Sequence, residues 1–441
     1  MSFLQTPAYN LKVVLKETGI AADTLRAWER RYGLPMPERT SGGHRLYSQY
    51  DIALIKWLIA KQDEGLSISR AVEFFREQTT QGLDPLSEIG ALTSQAIPTL
   101  IVDTGLAALR QQWLGACMSF NETSAEQVLN QAFAMHPVEL VCVDVLQKGL
   151  VEIGEQWYQN GASVQQEHFA SALAMRRLDA LISACPAPTR SQSVMIACPP
   201  DEWHTFTPLL LTLLLRRRGL NVIYLGANVP MHQMEDALNT ISPDLIILVA
   251  QQLHIISALN DAVRSLIKMN ARIAFGGRIF NAMPSLREKI PGFFLGHDLG
   301  AALENTDMIL RSKPAMPNVP DVSAEYAELR QAFSSKRMLI EMEAMKNVAL
   351  FNVPLEEMGT ANTFMFKNIL SALAVGDLDL LKPELEWLKT LLKINNMNGP
   401  RLAGYIQAYA DAIDTVFGET GGLLRDWLKA YLAEYQAAHA H

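Results

Sequence analysis

Cysteine is scarce in this chain. Four occur in 441 residues, Cys117, Cys142, Cys185 and Cys198, none at the close spacing that a zinc module or a disulfide framework requires. Isolated thiols of this kind suit a reducing compartment and are expected to be buried. Long apolar runs are missing too: PLLLTLLL (208–215) is far shorter than the roughly 20 residues a helix needs to cross a bilayer. The opening MSFLQTPAYN has no basic stretch followed by an apolar one, so no signal peptide is expected, and the cytoplasm is the expected location. Positive charge is in deficit overall, with a formal net charge of −8. A nucleic-acid surface must therefore be local, and one segment qualifies: residues 1–50 hold seven Lys/Arg against four Asp/Glu. What is abundant is core material, 49% hydrophobic against 19% charged, which excludes an intrinsically disordered chain.

A length of 441 residues allows three or four domains, and apolar periodicity marks them out. Residues 8–78 read as helices around a hairpin, with Gly42 and Gly43 at its turn. Residues 79–102 are polar, then mixed, and read as a linker. Between 103 and 187 four amphipathic patterns with short loops predict a four-helix bundle. From 190 to 313 the period changes. SVMIAC, NVIYLG, DLIILVA, RIAFGG and FFLG are short apolar strands separated by helix-length segments, which predicts a five-stranded parallel, Rossmann-like α/β sheet. The proline-rich PAMPNVPDV (314–322) reads as a second linker. Residues 323–441 return to helical periodicity, with Met342 and Met345 at core spacing and Trp387, Tyr405, Tyr409, Trp427 and Tyr431 as further bulk. This helical extension is expected first to pack and oligomerise, and otherwise to dock a partner protein or to form a pocket for a second ligand. It has no cysteine, so it cannot carry a thioether-linked chromophore. The fold class is a mixed α and α/β multidomain chain.

In DTLRAWERRYG (23–33) a short helix after a turn carries Arg26, Arg30 and Arg31. Phosphate and guanine contacts in a major groove require long cationic side chains on such a helix. In isolation the same pattern is a solvated basic face. The continuation decides between them: from TLRAWERRYGL through PMPERTSGGHRLYS to Asp51, the text resembles the signature of the MerR family of winged helix-turn-helix regulators. The resemblance implies that Arg26, Glu29, Arg30, Arg31 and Tyr32 lie on or just after a recognition helix. It places Arg39, His44, Arg45 and Tyr47 in a wing against the DNA backbone, with Trp28 and Leu46 holding helix and wing to the core. It also implies a double-stranded, palindromic operator read by a homodimer or homotetramer.

A second stretch, PPDEWHTFTP (199–208), follows the first strand of the sheet, and open parallel sheets bind ligands beyond the carboxyl ends of their strands. Glu202 and His204 stand there two residues apart. A carboxylate that fixes one ring nitrogen leaves the other for a metal. A helix-capping carboxylate beside a partly exposed histidine accounts for the same residues with no ligand at all. A four-helix bundle followed by such a sheet resembles the cobalamin-binding module of methionine synthase and the corrinoid proteins. With the head in front, the order resembles the CarH/LitR-type light-dependent repressors. On that resemblance the loop pattern is acid-x-His-x-x-Gly. His204 becomes the lower axial ligand of cobalt, Glu202 orients it, and Gly276 and Gly277 let the backbone approach the nucleotide tail. Trp157, followed after nine residues by Glu167 and His168, resembles the cap over the upper axial group of adenosylcobalamin.

Three positions depart from that pattern. Thr207 stands where the motif has glycine. Gln251 replaces a small serine and narrows the channel for the tail. Tyr158 follows Trp157, whereas the light-switched relatives have a cobalt-ligating histidine in this part of the bundle. Elsewhere His254 reads as an ordinary loop histidine, and Arg216, Arg217 and Arg218 as a solvated face or an interface. The expectation is a non-enzymatic transcription regulator that senses light or corrinoid status through bound cobalamin and changes its assembly on DNA. The alternative is a MerR-type regulator with a decayed pocket, controlled by a partner protein or another ligand. A corrinoid protein serving a methyltransferase would have no need of the head.

Overall fold

In the computed structural model the described residues are 9–39, 45–63, 66–80, 105–159, 161–232, 234–348, 355–394 and 399–437. They fall into two compact units, Met1–Asp103 and Thr104–His441. The first unit runs β1 (Tyr9–Asn10), α1 (Leu11–Thr18), α2 (Ala22–Tyr32), β2 (Glu38–Arg39), β3 (Arg45–Tyr47), α3 (Gln49–Asp63) and α4 (Ile68–Thr80). Asn10 opens α1 by accepting the Val13 N–H, and Gly19 closes it at φ 70, a left-handed conformation that suits glycine. β3 is the centre of a small antiparallel sheet, pairing with β1 and β2. Val14, Leu25, Trp28, Tyr47, Ile55 and Leu58 are its buried core. The hairpin turn read at Gly42 and Gly43, His44 and nearly all of the expected 79–102 linker lie outside the described residues.

The second unit opens with α5 (Leu106–Met118) and α6 (Glu122–Met135). Next comes a long helix, α7, in three consecutive segments, Val138–Val141, a π-helical Cys142–Gln147 and Lys148–Tyr158; α8 (Val164–Ser183) follows. Ser163 and Gln166 cap α8 reciprocally, which explains its sharp start. The α/β region then runs β4 (Ser193–Ala197), α9 (Phe206–Arg217), β5 (Asn221–Tyr224), α10 (Met234–Ile241), β6 (Leu245–Val249), α11 (Ile256–Lys268), β7 (Ile273–Gly276), β8 (Phe293–Phe294) and α12 (Leu299–Ser312). The five strands are parallel in the order β5-β4-β6-β7-β8. After an irregular stretch the extension supplies α13 (Ala324–Ser335), α14 (Arg337–Val348), α15 (Leu355–Ala374), α16 (Leu381–Ile394), α17 (Gly399–Phe417) and α18 (Gly422–Ala437).

Apart from Ser193 and Asn221, which open β4 and β5, the strands are apolar because both faces of the sheet are covered. Alternate residues face opposite ways. Val194, Ile196, Leu245, Ile247, Val249 and Ala274 join one core with the bundle, α9 and α12. Met195, Ala197, Ile246, Leu248, Ile273 and Phe275 join another with α11 and with all six helices of the extension. The arginines that end and follow α9 stitch the first of these layers together: Arg217 pairs with Glu139 of the bundle at 2.6 Å, Arg218 with Asp307 of α12 at 3.2 Å, and Arg216 donates to the Val222 carbonyl. Two expectations need correcting. Met342 and Met345 are not core: α14 buries Ile340 and Ala344, and the methionines take the opposite side with Met338 and Leu339. Cys185 is only half-buried. The other three thiols are buried, and burial pushes each of them up to about 12.

Candidate functional site

β4 and β6 lie side by side, yet the chain leaves β4 toward β5 and leaves β6 toward β7, on the other side. Their outgoing loops diverge and open a crevice, the position where open α/β sheets take ligands. Residues 198–205 bring Glu202 and His204 to it, and residues 250–255 bring Gln251 and His254.

Glu202 is fully buried, and a buried carboxylate has to be paired. Its Oε1 accepts the His204 main-chain N–H at 2.9 Å and lies 2.7 Å from His204 Nδ1, while Oε2 accepts the Gln251 main-chain N–H at 2.7 Å. Burial pushes this carboxyl upward, but the hydrogen bonds from His204 and Gln251 outweigh it and hold the group below the usual carboxylate range. The ionised oxygen can only accept, so Nδ1 carries the ring proton. Nε2, on a side chain 57% exposed, is left as the lone-pair donor.

The neighbouring loops are tied to the same point. Asp201 has a left-handed backbone at φ 70 and donates its N–H to Asn228 Oδ1 at 2.9 Å, while the Asn228 N–H returns to the Glu202 carbonyl at 2.9 Å. The Gln251 side-chain oxygen accepts the Arg278 N–H at 3.0 Å, so a glutamine ties the β6 loop to the β7 loop on one side of the crevice. At Gly277, φ is 124 and a Cβ would collide with the Ala250 carbonyl. Glycine is demanded there by the chain's own packing, whereas Gly276 has ordinary space around it. Thr207 sits half-buried in the first turn of α9. His254 is half-buried, and burial first, then the Lys367 cation, lowers its pKa. With Asp201, Arg330 and Lys367 it lines a cavity of about 650 Å³ between the ligand edge and the extension.

At the end of the bundle Trp157 closes α7 and His168 opens α8, on either side of the 159–163 connection. Trp157 is 37% exposed and therefore not core. Glu167 repeats the carboxylate–imidazole device, lying 2.8 Å from His168 Nδ1 and accepting the Ser171 hydroxyl at 2.6 Å; His168 itself is 75% exposed. The Tyr158 side chain lies outside the described residues. Among those residues no group of three or more His, Cys, Asp and Glu gathers that could hold a bare metal ion. One oriented imidazole suits a metal that brings its other donors in a macrocycle. The donor side thus fits a corrinoid. Beside the crevice the Gln251 side chain occupies the space between the β6 and β7 loops.

In the head, Arg26, Arg30 and Arg31 are exposed along α2, with Arg26 3.3 Å from Asp23. Tyr32 is half-buried; its hydroxyl lies 3.1 Å from Ser69 Oγ and its carbonyl accepts Arg76 at 2.6 Å. Two expected DNA contacts prove to be internal. Tyr47 is fully buried and donates its hydroxyl to Glu29 at 2.5 Å, and Glu29, 11% exposed, also accepts Arg45 Nε at 2.9 Å. Glu29 is thus the clasp between recognition helix and wing strand, and Tyr47 is a post within the core, because a phenol below the surface cannot reach a phosphate. The side chain of Arg39 lies outside the described residues, while its backbone pairs with that of Arg45. Sequence reasoning had no sign of this clasp, nor of Lys367, which lies 2.9 Å from Asp201 across 166 residues of chain.

Residues 9–78 match the MerR HTH family regulatory protein model, and residues 109–182 and 192–303 match two B12 binding domain models. The chain is 31% identical over 238 residues to the HTH-type transcriptional repressor CarH of Myxococcus xanthus, spanning 54% of this chain and 77% of that protein. It is 30% identical over 241 residues to the repressor CarA of the same organism, spanning 54% and 75%. Among solved structures, the Methanosarcina barkeri monomethylamine corrinoid protein aligns over 46% of this chain and 100% of its own, at 14% identity and a TM-score of 0.41. Head, bundle and sheet therefore define a MerR-type, DNA-binding transcription regulator with B12-binding domains. The chain belongs to the family of HTH-type transcriptional repressors that includes CarH and CarA.

Proposed function

We propose that this regulator binds cobalamin, in the adenosyl form, at the ligand edge of the sheet, and that light or loss of the upper axial group changes the oligomer that presents its heads to an operator. The observation that carries this reading is His204, a half-exposed imidazole whose Nδ1 is fixed by a fully buried, ionised carboxylate. When bound, adenosylcobalamin supplies a light-sensitive cobalt–carbon bond. His204 would hold the cobalt from below, Glu202 would keep the ring's tautomer and aim, and Trp157, Glu167 and His168 would border the upper side. Arg26, Arg30 and Arg31 would meet the DNA, with Arg45 held in the wing by Glu29. The coupling is linkage: only a ligand that binds two assemblies unequally shifts the balance between them.

The test is to load the full chain with adenosylcobalamin in the dark, desalt it, and record the visible spectrum before and after illumination. Corrinoid should be retained and its spectrum should change with light. His204→Ala should weaken retention and alter the dark spectrum; a dark spectrum indifferent to that change sinks the ligand assignment. Gln251 favours a second reading, in which its side chain, held against the Arg278 N–H, excludes cobalamin and a partner protein controls the regulator. The exposed Met338, Leu339, Met342 and Met345 of α14 would offer such a partner apolar surface. A chain that stays colourless after loading supports this reading.

A further inference from the structure

We propose that the C-terminal extension is part of the corrinoid site's machinery: Lys367, reaching from α15 to Asp201, is a positioning residue for the turn that presents Glu202 and His204. The inference rests on the corrinoid reading above and assigns its regulation to residues that lie beyond the matched families. Three observations carry it. First, Asp201 directly precedes Glu202 and holds a left-handed backbone that an aspartate adopts at a cost, so the turn keeps its shape only while its ties hold. Asp201 itself is tied by Asn228, whose side-chain oxygen accepts its N–H, and by Lys367 Nζ, 2.9 Å from Asp201 Oδ2.

Second, the lysine starts from a fixed base. One helical turn further along α15, the buried Ser371 hydroxyl accepts the Ser257 main-chain N–H at 3.0 Å. At the end of the helix the Ala374 carbonyl accepts the buried Asn260 amide at 3.1 Å. Arg330 of α13 grips Asp261 with both nitrogens, at 2.5 and 3.0 Å, and the Ser257 hydroxyl at 2.8 Å. The extension is thereby bolted to the helix that leaves β6, and Lys367 projects from it to the loop that leaves β4. Third, Lys367 faces the ligand edge itself, since it lines one cavity together with Asp201 and His254. The Lys367–Asp201 pair thereby couples the position of the 201–204 turn to that of α15.

The probe is cobinamide, a corrinoid that lacks a nucleotide base of its own. Full-length protein loaded with Co(II) cobinamide should show nitrogen superhyperfine splitting in its EPR spectrum, because the axial nitrogen can come only from the protein, and His204→Gln should abolish it. Lys367→Ala should lower the nitrogen-ligated fraction and the cobinamide affinity by about threefold, the scale of a half-exposed ion pair. Lys367→Arg should restore both, and Asp201→Asn should add nothing further in the Lys367→Ala background. A Lys367→Ala protein with wild-type splitting and affinity overturns the positioning role while leaving the corrinoid reading intact. Wild-type protein with no nitrogen splitting overturns both.

Discussion

Two glutamates organise the two units of this regulator, and they do it differently. In the head, Glu29 accepts a guanidinium and a phenol and clamps the wing strand to the recognition helix. In the sheet, Glu202 accepts an imidazole and two main-chain N–H groups. Both are carboxylates with their lone pairs spent inside the protein. Glu29 fixes every group it touches, so the surface it builds is presented ready-made. Glu202 fixes only one side of its histidine and leaves Nε2 half in solvent. Reading DNA asks for a rigid face, whereas taking a ligand asks for one oriented atom at the edge of an opening.

The largest effect should come from Glu202→Ala. Losing three hydrogen bonds to a fully buried carboxylate should cost about 2–3 kcal/mol in urea denaturation of the second unit. The effect should depend on pH. Because the folded-state pKa of Glu202 is depressed, its stabilisation is complete above the ordinary carboxylate range and is lost as pH falls through the depressed value, so variant and wild type should converge in acid. An undiminished gap at low pH would mean that the loss is packing rather than charge. Arg30→Ala, on the exposed face, should weaken operator binding at least about tenfold in gel-shift titrations without changing stability, and Arg45→Ala should weaken it as much. Arg45→Ala should also destabilise the head, because it opens the clasp.

Tyr47→Phe isolates the clasp from the DNA contacts. It should cost about 1 kcal/mol of head stability, seen as a lower urea midpoint, with DNA affinity falling only as far as the wing is misplaced. A tenfold loss of affinity at unchanged stability would return Tyr47 to the DNA surface. The smallest effects belong to the crevice. Gln251→Ser releases one hydrogen bond to the Arg278 N–H and should tighten cobalamin binding about threefold, with Thr207→Gly acting in the same direction. An unchanged dissociation constant in spectral titration for both would mean that neither side chain stands in the way.

Much of this was legible because it is written locally. The five apolar strands declare themselves by period and punctuation, as do the four amphipathic patterns of the bundle. The Glu202–His204 pair needs only two residues of chain and a known position at a sheet edge. What could not be read depends on distant partners. Glu29 looks like any acid on a basic helix until Tyr47, 18 residues later, is seen to point inward at it. Met342 and Met345 fit a core stripe as well as Ile340 and Ala344 do, and only the placement of α17 decides which stripe is buried. Lys367 gives no local sign of its partner at all.

The uninterrupted core beneath β4, β6 and β7 has a consequence for how the molecule comes apart. Strand residues such as Phe275 and extension residues such as Phe333, Tyr409 and Leu428 belong to one hydrophobic cluster. The proline-rich stretch at 314–322 is therefore a seam in the chain but not a seam in the thermodynamics. Neither side keeps its apolar face covered without the other, so cutting there should yield two sticky halves rather than two domains. Calorimetry of residues 104–441 should show sheet and extension melting in a single cooperative transition, and a perturbation of the ligand loops should be felt in the melting of helices more than a hundred residues away.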